Sequence, residues 1–340
     1  MLRFYNSIRI GRIRCFFDNE FFQGTGGMSQ FARPKFSTSL DQCPQVLHNR
    51  GMAISGFDHF IVLTSNLDAA IQRYRRLGFD VRAGGEHPAM GSHNALIAIA
   101  DGSYIELVGF KDTALAVKSY LRAGIERLQI GEGFGGYVLA SNDLAGDVAQ
   151  IKQRTLVYDD PKPGSRVRPD GQRVEWQTAM FNGSPLGLLP FLIQDVTPHT
   201  LRIEPPTDGI GRRARVKDAV IAIKDGRQAK QAYGLLLDRK PERVSDAANK
   251  VLCYRIAMDW GGIVLAQPQK SRNAMTDRLE QHGEGICALS LEVDDVEREG
   301  IRLKNEGIPF KMDSNGLLID PAFACGAQLR LVQNRTQPGT

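Results

Sequence analysis

Within the span 59–106 stand three of the six histidines and a carboxylate on an apolar run: His59, His87, His93 and Glu106. Imidazole and carboxylate groups can move protons near neutral pH or ligate a divalent metal. His59 lies in GFDHFIVLTS (56–65) and Glu106 in SYIELVGF (103–110), two runs that read as strands. His87 and His93 lie in or beside the glycine-bearing run before Asn94, where they can touch a substrate or, at His87-Pro88, simply set a turn. A lone histidine among strand residues is more often a satisfied core group than a ligand. Glu106 has a second use as a general base if its surroundings are dry enough to raise its pKa.

Other signals carry less. Residues 131–136 spell GxGxxG, but a dinucleotide fingerprint follows a strand and opens a helix, whereas this run feeds the strand at Tyr137, so no nucleotide cofactor is expected. The five cysteines are scattered without a CxxC pair, and Cys287 and Cys325 read as buried strand residues. The net charge of +5 lies mostly in residues 1–51, which hold seven basic residues against three acidic ones, and the body has no basic stripe for nucleic acid. No apolar run is long enough to cross a membrane as a helix. We expect a soluble, cytoplasmic protein in a reducing compartment, with a small-molecule ligand, no nucleic-acid or membrane partner, and a homodimer allowed.

Residues 1–51 carry seven of the sixteen Phe without helical or strand period and read as a disordered leader or upstream extension. Order begins with GFDHFIVLTS. The helix after it places Leu67, Ala70, Ile71, Tyr74 and Leu77 on one face, with Asn66 or Ser65 as cap and Gly78 as stop. ALIAIAD (95–101) and SYIELVGF follow as strands around an Asp101-Gly102 turn. The same order recurs from GGYVLAS (135–141), VKDAVIAI (216–223) and ICALSLEV (286–293). The chain therefore reads as α+β, four β-α-β-β-β modules, with the polar run 161–173 as a long hairpin excursion near a binding mouth, able to act as a lid.

FDHFIV, LDAAIQRYRRLGF, GGEHPAMGSHNALIAI and DGSYIELV resemble the glyoxalase-like family of the vicinal oxygen chelate superfamily, down to a pattern at His87, Pro88, Gly91 and Asn94. GEGICALSLEVDDVEREGIRLKNEGIPF resembles the closing module of superfamily lyases and epimerases. The resemblance implies modules paired into two open, cup-shaped mixed sheets, with a glyoxalase-like domain over 52–200 and a second such domain over 201–335. It also implies a divalent metal held from the first and last strands of paired modules, polarising the substrate's vicinal oxygens. On this pattern His59 and Glu106 are the metal ligands, Glu106 is also catalytic, and His87, His93 and Asn94 bind substrate. The matching places in module two fall near Gly136 and Gln194, so two good ligands remain where catalytic zinc sites use three.

In modules three and four the matching places are Ala219, Val264, Ala288 and Arg330, which cannot hold a metal. This disfavours the superfamily dioxygenases that place iron in that half. Arg330 can bind an anion or pair with an acid such as Glu292. The expected function is a metal-assisted isomerase, lyase or hydrolase acting on a small polar metabolite in the amino-terminal cup. The alternative is a metal-free protein that binds or sequesters a small molecule.

Overall fold

Side chains that alternate from face to face along each strand build the amino-terminal sheet. The computed structural model describes residues 52–119, 121–181, 188–246, 250–269 and 272–334. The expectations for the leader 1–51 lie outside the described residues. The first sheet contains β1 (Ile54–Leu63), β2 (Arg82–His87), β3 (Ser92–Ala98), β4 (Tyr104–Phe110), β5 (Gly133–Ser141), β6 (Lys162–Val167), β7 (Arg173–Ala179) and β8 (Phe191–Asp195). Phe60, Val62, Ala95, Ile97, Ile105, Leu107, Leu139 and Leu192 occupy one face and are fully buried in the core. His59, Ile61, Asn94, Glu106, Val138 and Ile193 take the other face and line a concavity.

Strand order in this sheet is β2-β3-β4-β1-β5-β8-β7-β6. The second sheet repeats it with β9 (Arg215–Ala222), β10 (Glu242–Asp246), β11 (Val251–Ala257), β12 (Gly262–Pro268), β13 (Gly285–Val293), β14 (Phe310–Asp313), β15 (Gly316–Ile319) and β16 (Gln328–Gln333), in the order β10-β11-β12-β9-β13-β16-β15-β14. Helices Leu67–Arg76, Leu144–Gln153, Gly226–Leu237 and Val296–Asn305 follow the first strand of each unit, so the four modules stand as the repeat predicts. In the first helix Asn66 Oδ1 accepts from Ala69 N at 3.0 Å, while Leu67, Ala70 and Tyr74 turn inward. Each large apolar side chain buried this way contributes roughly 1.5–3 kcal/mol.

One continuous core joins both sheets. Tyr137 and Tyr233 meet hydroxyl to hydroxyl at 2.5 Å, and Tyr74 donates to Ala324 O at 3.2 Å. No helix among the described residues is long and apolar enough to cross a membrane.

The amino-terminal sheet takes the expected cup shape and curls far enough to bring its edge strands β2 and β6 into contact; Arg166 on β6 donates to Gly84 O on β2 at 2.5 Å. Residues 161–173 are not an excursion, because β6 and β7 are full members of the sheet, joined by a turn in which Gly171 takes φ +83°. Residues 196–214, which carry Pro198, Pro205 and Pro206, are tied down. Their helix His199–Arg202 buries Arg202, Ile210 N donates to Gly78 O at 2.8 Å, and Gly211 O accepts from Ala100 N at 2.9 Å.

Candidate active site

β1 presents His59 to the concavity, and an irregularity in its pairing with β5 between Phe57 and His59 lets Asp58 reach its neighbour. Asp58 Oδ1 lies 2.6 Å from His59 Nδ1. Both residues are buried, at 3% and 7% exposure. Burial opposes ionisation of Asp58, but the Arg202 guanidinium and the His59 hydrogen bond outweigh it and hold the carboxyl well below the usual carboxylate range. With Asp58 ionised, Nδ1 of His59 carries the proton, and in the neutral ring Nε2 keeps its lone pair. That nitrogen stands 3.5 Å from Glu106 Oε2 on β4. The Tyr104 ring stacks on the imidazole at 4.7 Å between centroids, fixing its plane.

Glu106 Oε1 accepts from Asn94 Nδ2 on β3 at 2.5 Å. Asn94 Oδ1 is buried without a partner and lies where a Cβ on Gly84 would come within 2.1 Å. His87 lines the same space, with Nδ1 3.2 Å from Ser92 Oγ; burial pushes its pKa down against the attraction of Glu106. His93 does not join them. The alternation that turns Asn94 inward turns His93 to the opposite face, where its Nε2 fills the space over Gly109. It is corrected from a substrate contact to a residue of the outer face.

The cavity of about 120 Å³ is walled by apolar side chains from both modules, among them Leu96, Val138, Phe191 and Ile193, with Trp176 at one side. Register corrects the positions expected opposite His59 and Glu106. Val138, not Gly136, pairs with His59. Ile193, not Gln194, faces the cavity; Gln194 turns out and accepts from Leu144 N at 2.9 Å. In the second sheet Asp218 occupies the place of His59, and Ala219 packs in the core. Asp218 is taken by Arg255 at 2.8 Å. Arg330 pairs with Asp313 at 2.6 Å, while Glu292 takes Lys217 at 2.5 Å.

Beneath the cup lies a network that the sequence does not announce. Arg202 donates to Asp58 Oδ1 and Oδ2 at 2.9 and 2.6 Å, to Asp195 Oδ1 and Oδ2 at 2.5 and 3.0 Å, and to the Tyr104 hydroxyl at 2.8 Å. His199 Nδ1 lies 2.8 Å from Asp195, and its Nε2 lies 3.0 Å from Gly102 O. Asp58, Asp195 and His199 gather as metal ligands do. They do not fit an ion, because the guanidinium already supplies the positive charge and His199 is engaged through both nitrogens. Asp58 adjoins His59, and Arg202 lies 144 residues away in sequence, which conceals the pairing.

Fold and cavity together define a protein of the vicinal oxygen chelate superfamily whose amino-terminal cup is chemically equipped. A glyoxalase-like domain profile matches residues 57–237, and the chain belongs to that family. A hypothetical protein from Staphylococcus aureus is similar in fold, with TM-score 0.59 and 14% identity over 82% of this chain and 99% of that one. A mutant of 4-hydroxymandelate synthase from Streptomyces coelicolor is similar at TM-score 0.58 and 15% identity, over 85% and 95%. A search of curated proteins found no match.

Proposed function

We propose that the amino-terminal cup is the active site of an isomerase or lyase that moves a proton next to a carbonyl group of a small polar metabolite. The observation that carries this is the pair of His59 Nε2 and Glu106 Oε2, 3.5 Å apart and facing one cavity. One member takes a proton from the substrate carbon, and the electron pair of the broken C–H bond moves toward the carbonyl oxygen. Return of the proton to the neighbouring atom completes an isomerisation; loss of a leaving group instead completes an elimination. Neither needs an oxidant or reductant. Asp58 holds the imidazole in the useful tautomer, and Asn94 positions the carboxylate.

A resident catalytic metal fits this donor set poorly. His59 and Glu106 are close enough to share an ion, but His87, in the same cavity, does not gather with them as a third ligand, module two offers only Val138 and Ile193 there, and catalytic sites use about three protein ligands. The buried guanidinium of Arg166 lines the same cavity and repels a cation. The chemistry is therefore assigned to the side chains themselves.

The test is exchange of substrate hydrogen with solvent deuterium, followed by proton NMR over a set of small hydroxy- and oxo-compounds. Exchange catalysed by the wild type and lost in His59→Gln and Glu106→Gln is expected. Exchange surviving in both variants, or none with compounds shown to bind the cup, would overturn the assignment and favour a sequestering role.

A further inference from the structure

We infer that the ligand of this cup is a small monocarboxylate anchored by Arg166, an inference that rests on the cup being the functional site and adds its substrate class. Arg166 is 7% exposed. Its Nη1 donates to Gly84 O at 2.5 Å and its Nη2 to Arg202 O at 2.6 Å. Both acceptors are neutral carbonyls, so the guanidinium is fixed in place without a direct ion pair, and Glu106 acts on it only through space. No ion pair forms to it among the described residues. Arg202, its neighbour, is neutralised by Asp58 and Asp195, and Arg168, two residues on, by Asp170 and Glu204.

A guanidinium offers five N–H donors, and these contacts use two of them. Burying an unpaired charge is costly, and such a charge persists where a partner of opposite sign can arrive. The planar fork matches a carboxylate, and Arg166 lines the cavity that His59 and Glu106 face. Charge balance narrows the ligand further. Glu106 already acts on this charge through space without pairing to it, so the fork has room for the direct contact of a single carboxylate but not for a more highly charged group. A phosphate dianion would leave excess negative charge in a cavity walled by Val138, Phe191 and Ile193. The cavity volume of about 120 Å³ sets a compact ligand.

The experiment uses the full chain carrying Trp260→Phe, so that Trp176, on the cup wall, reports binding by fluorescence, with calorimetry as a second reading. Glycolate, lactate and pyruvate are titrated beside their amides and beside inorganic phosphate. The acids are expected to bind more tightly than either control. Arg166→Gln should weaken the acids roughly 10- to 100-fold, leave the amides unchanged, and be partly rescued by Arg166→Lys. Glu106→Gln should bind the acids at least as well as wild type, because a like charge has gone. Amides or phosphate binding as tightly as the acids, acids that fail to bind, or acids unaffected by Arg166→Gln would each overturn the anchor. The acid-to-amide comparison on unaltered Arg166 stands even if the variant folds poorly. Acids that bind through Arg166 without exchanging hydrogen would instead remove the proton-transfer assignment and leave the anchor standing.

Discussion

Both carboxylate oxygens of Asp58 are held by the Arg202 guanidinium, at 2.9 and 2.6 Å, and one of them also meets His59 Nδ1 at 2.6 Å. The orientation of the His59 imidazole is thus set by an arginine on the far side of its carboxylate. Asp58→Asn leaves a buried guanidinium with one acid in place of two. A stability loss of about 3–5 kcal/mol is expected, as when one partner of a buried ion pair is removed. Urea unfolding measures it, and a loss within error of zero would show that Asp195 alone suffices.

The same network predicts how stability changes with pH. Burial opposes ionisation of Asp58 and Asp195, but charge and hydrogen bonding from Arg202, His59 and His199 outweigh it and hold both below the ordinary carboxylate value. Their stabilisation is full above about pH 4 and fades as pH falls. His199 is raised, first by its hydrogen bond to Asp195. Its contribution is full below about pH 6.5 and is lost as pH rises through the higher folded value. His87 and His282 act oppositely. Burial lowers both, His282 to about 4, so stability falls as pH drops below about 6.5. Unfolding free energies measured against pH should show an alkaline decline in wild type that is absent in His199→Gln. Parallel curves would refute the role given to His199.

Gly84 tests the Asn94 support of Glu106. An added Cβ would come 2.1 Å from Asn94 Oδ1, 2.8 Å from its Cγ and 3.0 Å from Leu96 Cγ. Gly84→Ala must displace Asn94 from Glu106, at about 1–3 kcal/mol for overpacking. We expect a lowered melting temperature together with lost hydrogen exchange, and a crystal structure of the variant should show Asn94 moved. Unchanged exchange would mean that Asn94 does not position the carboxylate.

The strands that announce themselves by alternating apolar residues, β1, β4, β5 and β13, could be read from sequence, whereas the pairing of His59 with Glu106 came from the family resemblance. What failed was register. Gln194 and Ala219 each fall one residue from the strand position that actually matches Glu106 or His59, and a slip of one residue turns a side chain to the other face; Gly136 falls two residues from Val138, on the same face. Glycine and proline in PKPGSRV masked β6, hiding Arg166; inward alternation at Gly164 and Arg166 was the signal available. Arg202 was hidden differently, since a proline-flanked segment reads as linker and only three-dimensional contact reveals its partner Asp58.

On the proposed function, His59 and Glu106 move the proton without a resident metal. The most direct measurement is the rate of substrate hydrogen exchange in protein stripped by a chelator and checked by elemental analysis. Exchange should persist at the untreated rate in the stripped wild type and fall by about 100- to 10,000-fold in stripped Glu106→Gln, the range ascribed to positioned acid–base groups. Exchange that disappears on stripping and returns when a divalent ion is restored would contradict the account.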